Sequence, residues 1–305
     1  MLATFAPALG FSYTGDAEYD SVLLAAFLLS AQTVVAAFFM DAPYGKLSGD
    51  SGSVLDSVPK VNPRLGWWLM ELPATLSFFW YVWSETFSYH RQLCFLTTFL
   101  LCIPPLRFFD LSSPHAEATP PRVFLALWCV HYGNRGWAFP FLMKPAGCKP
   151  AGNSFSLIVV VAGWLVTGLH GYLHAVFFTR LGSHLHDESW VFDPRFGIGL
   201  GVYAVGLLGI LRCEHIVRCL RPSGSTVRYA VPRGFLFEYV TSPQYLCELT
   251  AWAGLAVATW SLASVFIFTM SAANLVPRAM KSHTWYQQKF DDYPKQRKVL
   301  LPGLW

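Results

Sequence analysis

Glu71 lies in the apolar run WWLMELPATLSFF, directly before Leu72-Pro73. An ionisable group inside such a run is expensive unless it faces a cavity or a partner, so it marks a functional site. Pro73 has no amide hydrogen and frees a backbone carbonyl close by, which suits a cavity wall. Further on, CVHYGNRGW places His131, Tyr132, Asn134 and Arg135 within five residues. In a regular α-helix Tyr132 and Arg135, three apart, share a face. A phenol held by a membrane carboxylate such as Glu71 is a good electrophile for a carbonyl oxygen. Taken without Glu71, the same pair would suit an aromatic belt with a snorkelling cation.

Two cation clusters follow. LRCEHIVRCLRPSGSTVRYAVPRG carries Arg212, Arg218, Arg221, Arg228 and Arg233, with Glu214 four residues before Arg218. The tail RAMKSHTWYQQKFDDYPKQRKVLLPGLW interleaves Trp285, Tyr286, Phe290 and Tyr293 with Arg278, Lys281, Lys289, Lys295, Arg297 and Lys298. Together the clusters could hold a polyphosphate by forked guanidinium contacts. Either alone would read as contact with anionic lipid. His170 and His174 have the i,i+4 spacing of metal ligands, and His184 and His186 lie near Asp187 and Glu188. The further histidines that a membrane di-iron site needs are missing, so no metal is expected. The seven cysteines form no C-x-x-C pair and read as apolar fillers. There is no phosphate-binding glycine loop and no G-x-S-x-G.

The elements that must position these groups are membrane helices. The chain is 54% hydrophobic and 13% charged, about half the charged share of a soluble domain. The acidic first 20 residues lack Lys and Arg and do not resemble a cleaved signal. Expected spans are 21–40, 66–83, 122–143, 154–178 and 194–212, with 246–277 crossing twice and turning near Trp260-Ser261. The run 92–108, broken by Pro104-Pro105, is expected not to cross. Lys and Arg then number three in 41–65, two in 144–153, at least four in 213–245 and six in 278–305 on one side. On the other side there are none in 1–20, two in 84–121 and two in 179–195. That asymmetry gives an all-α, polytopic bundle of about seven spans, with a luminal N-terminus and a cytosolic C-terminus.

The run SPQYLCELTAWAGLAVATWSL, the later RAM, and WYQQKFDDYPKQRKVLLPGLW resemble the carboxyl half of steroid 5α-reductases (3-oxo-5α-steroid 4-dehydrogenases). MELP and CVHY-xx-R resemble first-half motifs of that family. The likeness is dense over 196–305 and patchy over 66–178. It implies a single membrane domain, with 1–153 on the substrate side and 154–305 on the NADPH side. It also implies reduction of the C=C bond of an enone, a 3-oxo-Δ4 steroid, by a multi-pass monomer of the endoplasmic reticulum. Lipid and a lipophilic substrate are its partners, and nucleic acid is not. By this likeness Tyr132, oriented by Glu71, polarises the enone oxygen. Gln244 and Glu248 lie near the nicotinamide, Glu214 takes an acidic cofactor position, and Arg221, Tyr229, Arg278 and Tyr286 hold ribose and phosphates. Sister branches acting on polyprenals or enoyl thioesters, and a non-catalytic lipid-binding homologue, are the alternatives. The chain departs from the family's motifs at Met70, Ile210, Ala230, Gln244, Cys247, Ala251 and Ser282.

Overall fold

The computed structural model describes residues 11–39, 58–87, 118–144, 155–220 and 229–305. Arg221 and the run 92–108 lie outside them. Seven long helices are found among the described residues. They are α1 (Ala17–Phe39), α2 (Pro63–Phe87), α3 (Thr119–Tyr132), α4 (Leu157–Val176), α5 (Pro194–Cys219), α6 (Pro243–Thr259) and α7 (Leu262–Lys289). Two π-helical segments extend α3 (Gly133–Ala138) and α4 (Phe177–Leu181). After the first of them a last α-turn, Phe139–Leu142, completes the third helix. Four helical segments are long and apolar enough to cross a bilayer: Ala17–Ala37, Leu157–Leu181, Pro194–Cys219 and Leu262–Lys289. Outward-facing Leu28, Val35, Leu76, Trp80, Val161, Leu165, Val205 and Leu208 are exposed. Helices that stay apolar on the face turned away from the bundle are built for lipid.

Short contacts fix which helix ends lie together. Two-residue strands β1 (Lys60–Val61) and β2 (Phe155–Ser156) pair antiparallel and bring the starts of α2 and α4 to one end. Arg64 Nε donates to Met143 O at 2.9 Å, so the third helix finishes at that end too. At the opposite end, Thr119 N donates to Glu188 Oε1 at 2.7 Å, and Arg180 pairs with Asp16 at 3.3 Å. A helix of this length cannot double back, so residues 87 and 118 both lie at the Glu188 end of the bundle.

Pro73 sits inside α2 and removes the hydrogen bond that the Leu69 carbonyl would otherwise receive. Trp164 Nε1 of α4 donates to that carbonyl at 2.5 Å, and Thr167 Oγ1 donates to Met70 O at 3.1 Å. The expected freed carbonyl is therefore used to bind α2 to α4.

Helices α5 and α6 approach to backbone contact. A Cβ on Gly206 would overlap Ala251 and the Cys247 carbonyl, and one on Gly254 would overlap Tyr203. Small residues allow this proximity, which is how helices associate where lipid gives no hydrophobic drive. Gly201, on the same helix, faces open space. Gly206→Val is expected to lower the thermal midpoint of the detergent-solubilised protein by several degrees, an overpacking of ~1–3 kcal/mol, while Gly201→Val leaves it unchanged. Equal midpoints for the two variants would refute this account of the packing.

The turn between α6 and α7 falls at the expected place. Trp260 takes the left-handed conformation (φ 46°, ψ 46°), and Ser261 caps α7 by accepting from Ser264 N at 3.2 Å. The last carbonyls of α6 are closed by side chains: Trp190 Nε1 donates to Ala258 O at 3.0 Å and His184 Nε2 to Thr259 O at 2.9 Å. His186 Nε2 likewise donates to Phe178 O in the π-segment. Burial pushes the His184 imidazole below its ordinary pKa, in keeping with a neutral donor. These histidines cap carbonyls.

The basic tail differs from expectation in its first half, because α7 continues helical through Pro277 to Lys289. Beyond it the chain folds back. Lys298 N donates to Tyr239 O at 2.8 Å and Thr241 N to Lys298 O at 2.9 Å, just ahead of α6. Arg297 is 2% exposed and donates to Pro232 O at 2.9 Å, with its guanidinium 5.4 Å from the Tyr293 ring. The tail is an ordered cap.

Candidate active site

The charged centre is assembled from three helices. Arg135 lies in the π-turn that follows α3. Its Nε donates to Glu71 Oε1 of α2 at 3.1 Å, and its Nη1 to Glu248 Oε2 of α6 at 3.2 Å. Both carboxylates are buried, at 5% and 9% exposure. The Trp67 ring covers the guanidinium at 4.9 Å, and Trp67 Nε1 donates to Arg135 O at 3.3 Å. Beside it Asn134 Nδ2 donates to Glu214 Oε2 of α5 at 3.3 Å, and Glu214 meets Arg218 at 3.8 Å, the expected i,i+4 pair. His131, Asn134, Arg135, Leu207, Ile210 and Glu248 line a small cavity with room for about one water molecule.

The expected shared face of Tyr132 and Arg135 is not what forms. The π-turn begins at Gly133, and its i→i+5 bonding rotates Arg135 away from the α-helical register. Arg135 therefore reaches the carboxylates, while Tyr132 turns into an aromatic cage. Its ring lies 4.8 Å from Trp128 and 5.9 Å from His170. Among the described residues no hydrogen bond joins Glu71 to Tyr132, while Arg135 Nε donates to Glu71 Oε1. The Tyr132 hydroxyl makes no hydrogen bond among the described residues, so the expected direct orientation by Glu71 gives way to two adjacent groups.

The residues expected at the cofactor fall into two sets. Glu214 and Glu248 join the charged centre. Gln244, one turn before Glu248 on the same face of α6, has its Oε1 buried without a partner, as has Ser242 Oγ. Arg278, Tyr229 and Tyr286 gather under the tail. There Arg278 Nε donates to Tyr245 OH at 2.9 Å, and Tyr229 meets the Trp285 ring at 5.0 Å. Tyr286 stacks on Tyr293 at 5.5 Å and 15°. The Cys247 thiol fits because the facing residue of α5 is Gly209, whose Cβ would come within 2.5 Å of it. Ala251 packs against Gly206.

Sequence reasoning gave little weight to Trp128 and Trp252, although one precedes Tyr132 by four residues and the other follows Glu248 by four. That spacing was the available signal. His174, one turn after His170, has both ring nitrogens engaged, with His170 O at 2.9 Å and Ser264 Oγ at 3.0 Å. Among the described residues no group of three metal-ligating side chains is found.

A bundle apolar on its lipid face, with an ion-paired centre at its core, defines an integral membrane protein. Residues 153–305 match the family model described as 3-oxo-5-alpha-steroid 4-dehydrogenase. The chain is 38% identical over 206 residues to 3-oxo-5-alpha-steroid 4-dehydrogenase 1 of Macaca fascicularis, covering 67% of this chain and 74% of that protein. It is 32% identical over 291 residues to steroid 5-alpha-reductase DET2 of Solanum lycopersicum, covering 94% and 97%. To the Arabidopsis thaliana DET2 protein it is 30% identical over 282 residues, covering 92% and 94%. The chain belongs to the 3-oxo-5-alpha-steroid 4-dehydrogenase family, oxidoreductases acting on CH–CH bonds.

Proposed function

We propose that the protein reduces the C=C bond of a 3-oxo-Δ4 steroid to the 5α product, with NADPH as the reductant, in the endoplasmic reticulum membrane. The carrying observation is the buried Glu71–Arg135–Glu248 centre beside a phenol that makes no hydrogen bond among the described residues. Relatives matching nine-tenths of the chain are named for this reaction. The matching positions of the bundle ends, with 87 and 118 at one end, support seven spans with 92–108 not crossing. The excess of Lys and Arg at the β1–β2 end supports a cytosolic position for that end and for the C-terminus.

The side chains suit a nicotinamide dinucleotide. Gln244 Oε1 and Ser242 Oγ are buried acceptors without partners, of the kind a carboxamide satisfies. Arg278 and Tyr245 form a donor pair under the tail, where phosphate is expected, with Arg221 as a second cation and Tyr229 and Tyr286 at the ribose. Glu214 holds Asn134 against the centre. On this reading 1–153 supplies the substrate side and 154–305 the cofactor side, tied together by Arg135.

When bound, NADPH supplies a hydride to the enone β-carbon. As that bond forms, the C=C pair moves toward the carbonyl and negative charge grows on oxygen. Tyr132 donates a hydrogen bond to that oxygen, most strongly in the transition state. A proton from solvent then adds to the α-carbon. Glu71 and Glu248, sharing the one guanidinium of Arg135, would favour positive charge on a nicotinamide held beside them. Glu71 acts through Arg135, as a positioning residue.

The test is turnover by the purified full chain in lipid, with NADPH and a 3-oxo-Δ4 steroid, followed by NADPH loss and product mass. A product heavier by two hydrogens is expected. Oxidation of NADPH only with a polyprenal would reassign the substrate, and absence of NADPH binding would remove the reading. Arg278→Ala is expected to weaken NADPH affinity about 10- to 100-fold, the ~1.5–3 kcal/mol of a hydrogen bond to a charged group, with kcat little changed. A loss confined to kcat would place Arg278 elsewhere.

A further inference from the structure

His170 is wholly buried, and neither ring nitrogen has a hydrogen-bond partner among the described residues. Its ring stacks on Trp128 at 4.6 Å and 16°, and meets His174 at 4.4 Å and Trp252 at 5.2 Å. The indole nitrogens of Trp128 and Trp252 are also buried without acceptors. Unsatisfied polar atoms number only a few per hundred residues in folded proteins. Here four of them, with the unbonded Tyr132 hydroxyl, gather around one aromatic cage. His174, one turn on, has both nitrogens occupied, so the cage is not simply a place where histidine goes unpaired.

An arrangement of hydrogen-bonding groups that do not bond each other is complementary to a polar atom from outside the chain. The ring centres of Tyr132 and His170 lie 5.9 Å apart. A phenol oxygen stands farther from its ring centre than an imidazole nitrogen does, and the two do not meet. One oxygen atom can take a hydrogen bond of ~2.8 Å from each of them. Such an oxygen would be an acceptor, since both indoles can serve it only as donors and the phenol has an O–H to give.

We propose that His170 is a second hydrogen-bond donor to the substrate's carbonyl oxygen, standing beside Tyr132. This deepens the enone-reductase reading and rests on it. In the reaction no bond to His170 forms or breaks. Its N–H and the Tyr132 O–H together hold the oxygen as the C=C electron pair moves onto it, and aromatic walls exclude competing water. Trp128 stacks on the imidazole and fixes the direction of that donor. An enone fits this pair better than an alcohol of the same skeleton, because a carbonyl oxygen accepts twice and has no hydrogen to turn away.

The experiment uses the full chain in lipid nanodiscs, with His170→Phe, His170→Leu and His170→Gln. With NADPH and a 3-oxo-Δ4 steroid, His170→Phe is expected to lower kcat by about 10²-fold, as loss of one oxyanion donor does. His170→Gln, which keeps a donor, restores much of that, and NADPH affinity is the same in all. His170→Leu stands in if phenylalanine overfills the cage. A second arm measures binding of two steroids alike except for the 3-oxo group. Wild type should prefer the ketone about tenfold, and His170→Leu should lose most of that preference. Unchanged kcat and unchanged ketone preference in the Phe and Leu variants would overturn the role of His170. If wild type reduces no enone yet shows a ketone preference that depends on His170, the carbonyl contact stands and the reductase reading falls.

Discussion

Tyr132→Phe lowers kcat by about 10²–10³-fold, the loss expected when a donor to a developing oxyanion is removed, and leaves NADPH affinity and thermal stability at wild-type values. The two halves of that result have separate physical origins. The hydroxyl bonds nothing among the described residues, so its removal strands no partner and incurs no desolvation penalty. The ring, which packs at 4.8 Å on Trp128, is retained by phenylalanine. What is lost is a donor needed only while charge grows on the substrate oxygen, so kcat falls more than KM rises. Steady-state rates with a 3-oxo-Δ4 steroid, together with NADPH titration, measure both. A Tyr132→Phe enzyme with wild-type kcat would remove Tyr132 from the chemistry. One with an equal loss of cofactor affinity would mean that the phenol belongs to the NADPH side.

How much of this was legible in the sequence depends on whether the signal is local. Glu71 and Pro73 could be read directly, because a charge in an apolar run and a missing amide hydrogen have only a few physical outcomes. The turn at Trp260-Ser261 was legible from Lys and Arg placement, although Trp260, which takes the left-handed conformation, is no turn former by type. The order in the tail followed from its aromatic content. The face of Tyr132 and Arg135 was misread because periodicity assumes 3.6 residues per turn, and the π-turn at Gly133–Ala138 breaks that period. Gly133 and Gly136 hint at such a break without specifying it. The fit of Cys247 against Gly209 joins two helices 38 positions apart in the chain, and one sequence holds no sign of it. His170 was noted for its i,i+4 spacing to His174 and set aside, since no metal was expected. Only three dimensions show that one ring is fully bonded and the other not at all.

Removing Arg135 should be the most destabilising single change at the centre. Its guanidinium forks between Glu71 and Glu248, both under 10% exposed. Arg135→Met leaves two buried carboxylates facing each other without a counter-charge. Breaking a buried ion pair from one side costs about 3–5 kcal/mol, because the stranded charge is neither solvated nor paired. Arg135→Lys should recover part of this, since an ammonium is a point charge that cannot present two parallel donors to carboxylates on different helices. The triple variant Arg135→Met with Glu71→Gln and Glu248→Gln separates charge from shape. It removes both stranded carboxylates at nearly constant volume and should regain most of the thermal midpoint lost by Arg135→Met, while turnover stays low. Thermal unfolding of the three variants in one detergent decides the matter. If Arg135→Met melts with wild type, the ion pairs are too weakly formed to join α2 and α6. If the triple variant melts as low as Arg135→Met, the loss comes from packing against Trp67 rather than from the carboxylates. The expected order, wild type above the triple variant and both above Arg135→Met, would show that one guanidinium holds the two halves of the bundle in register through charge.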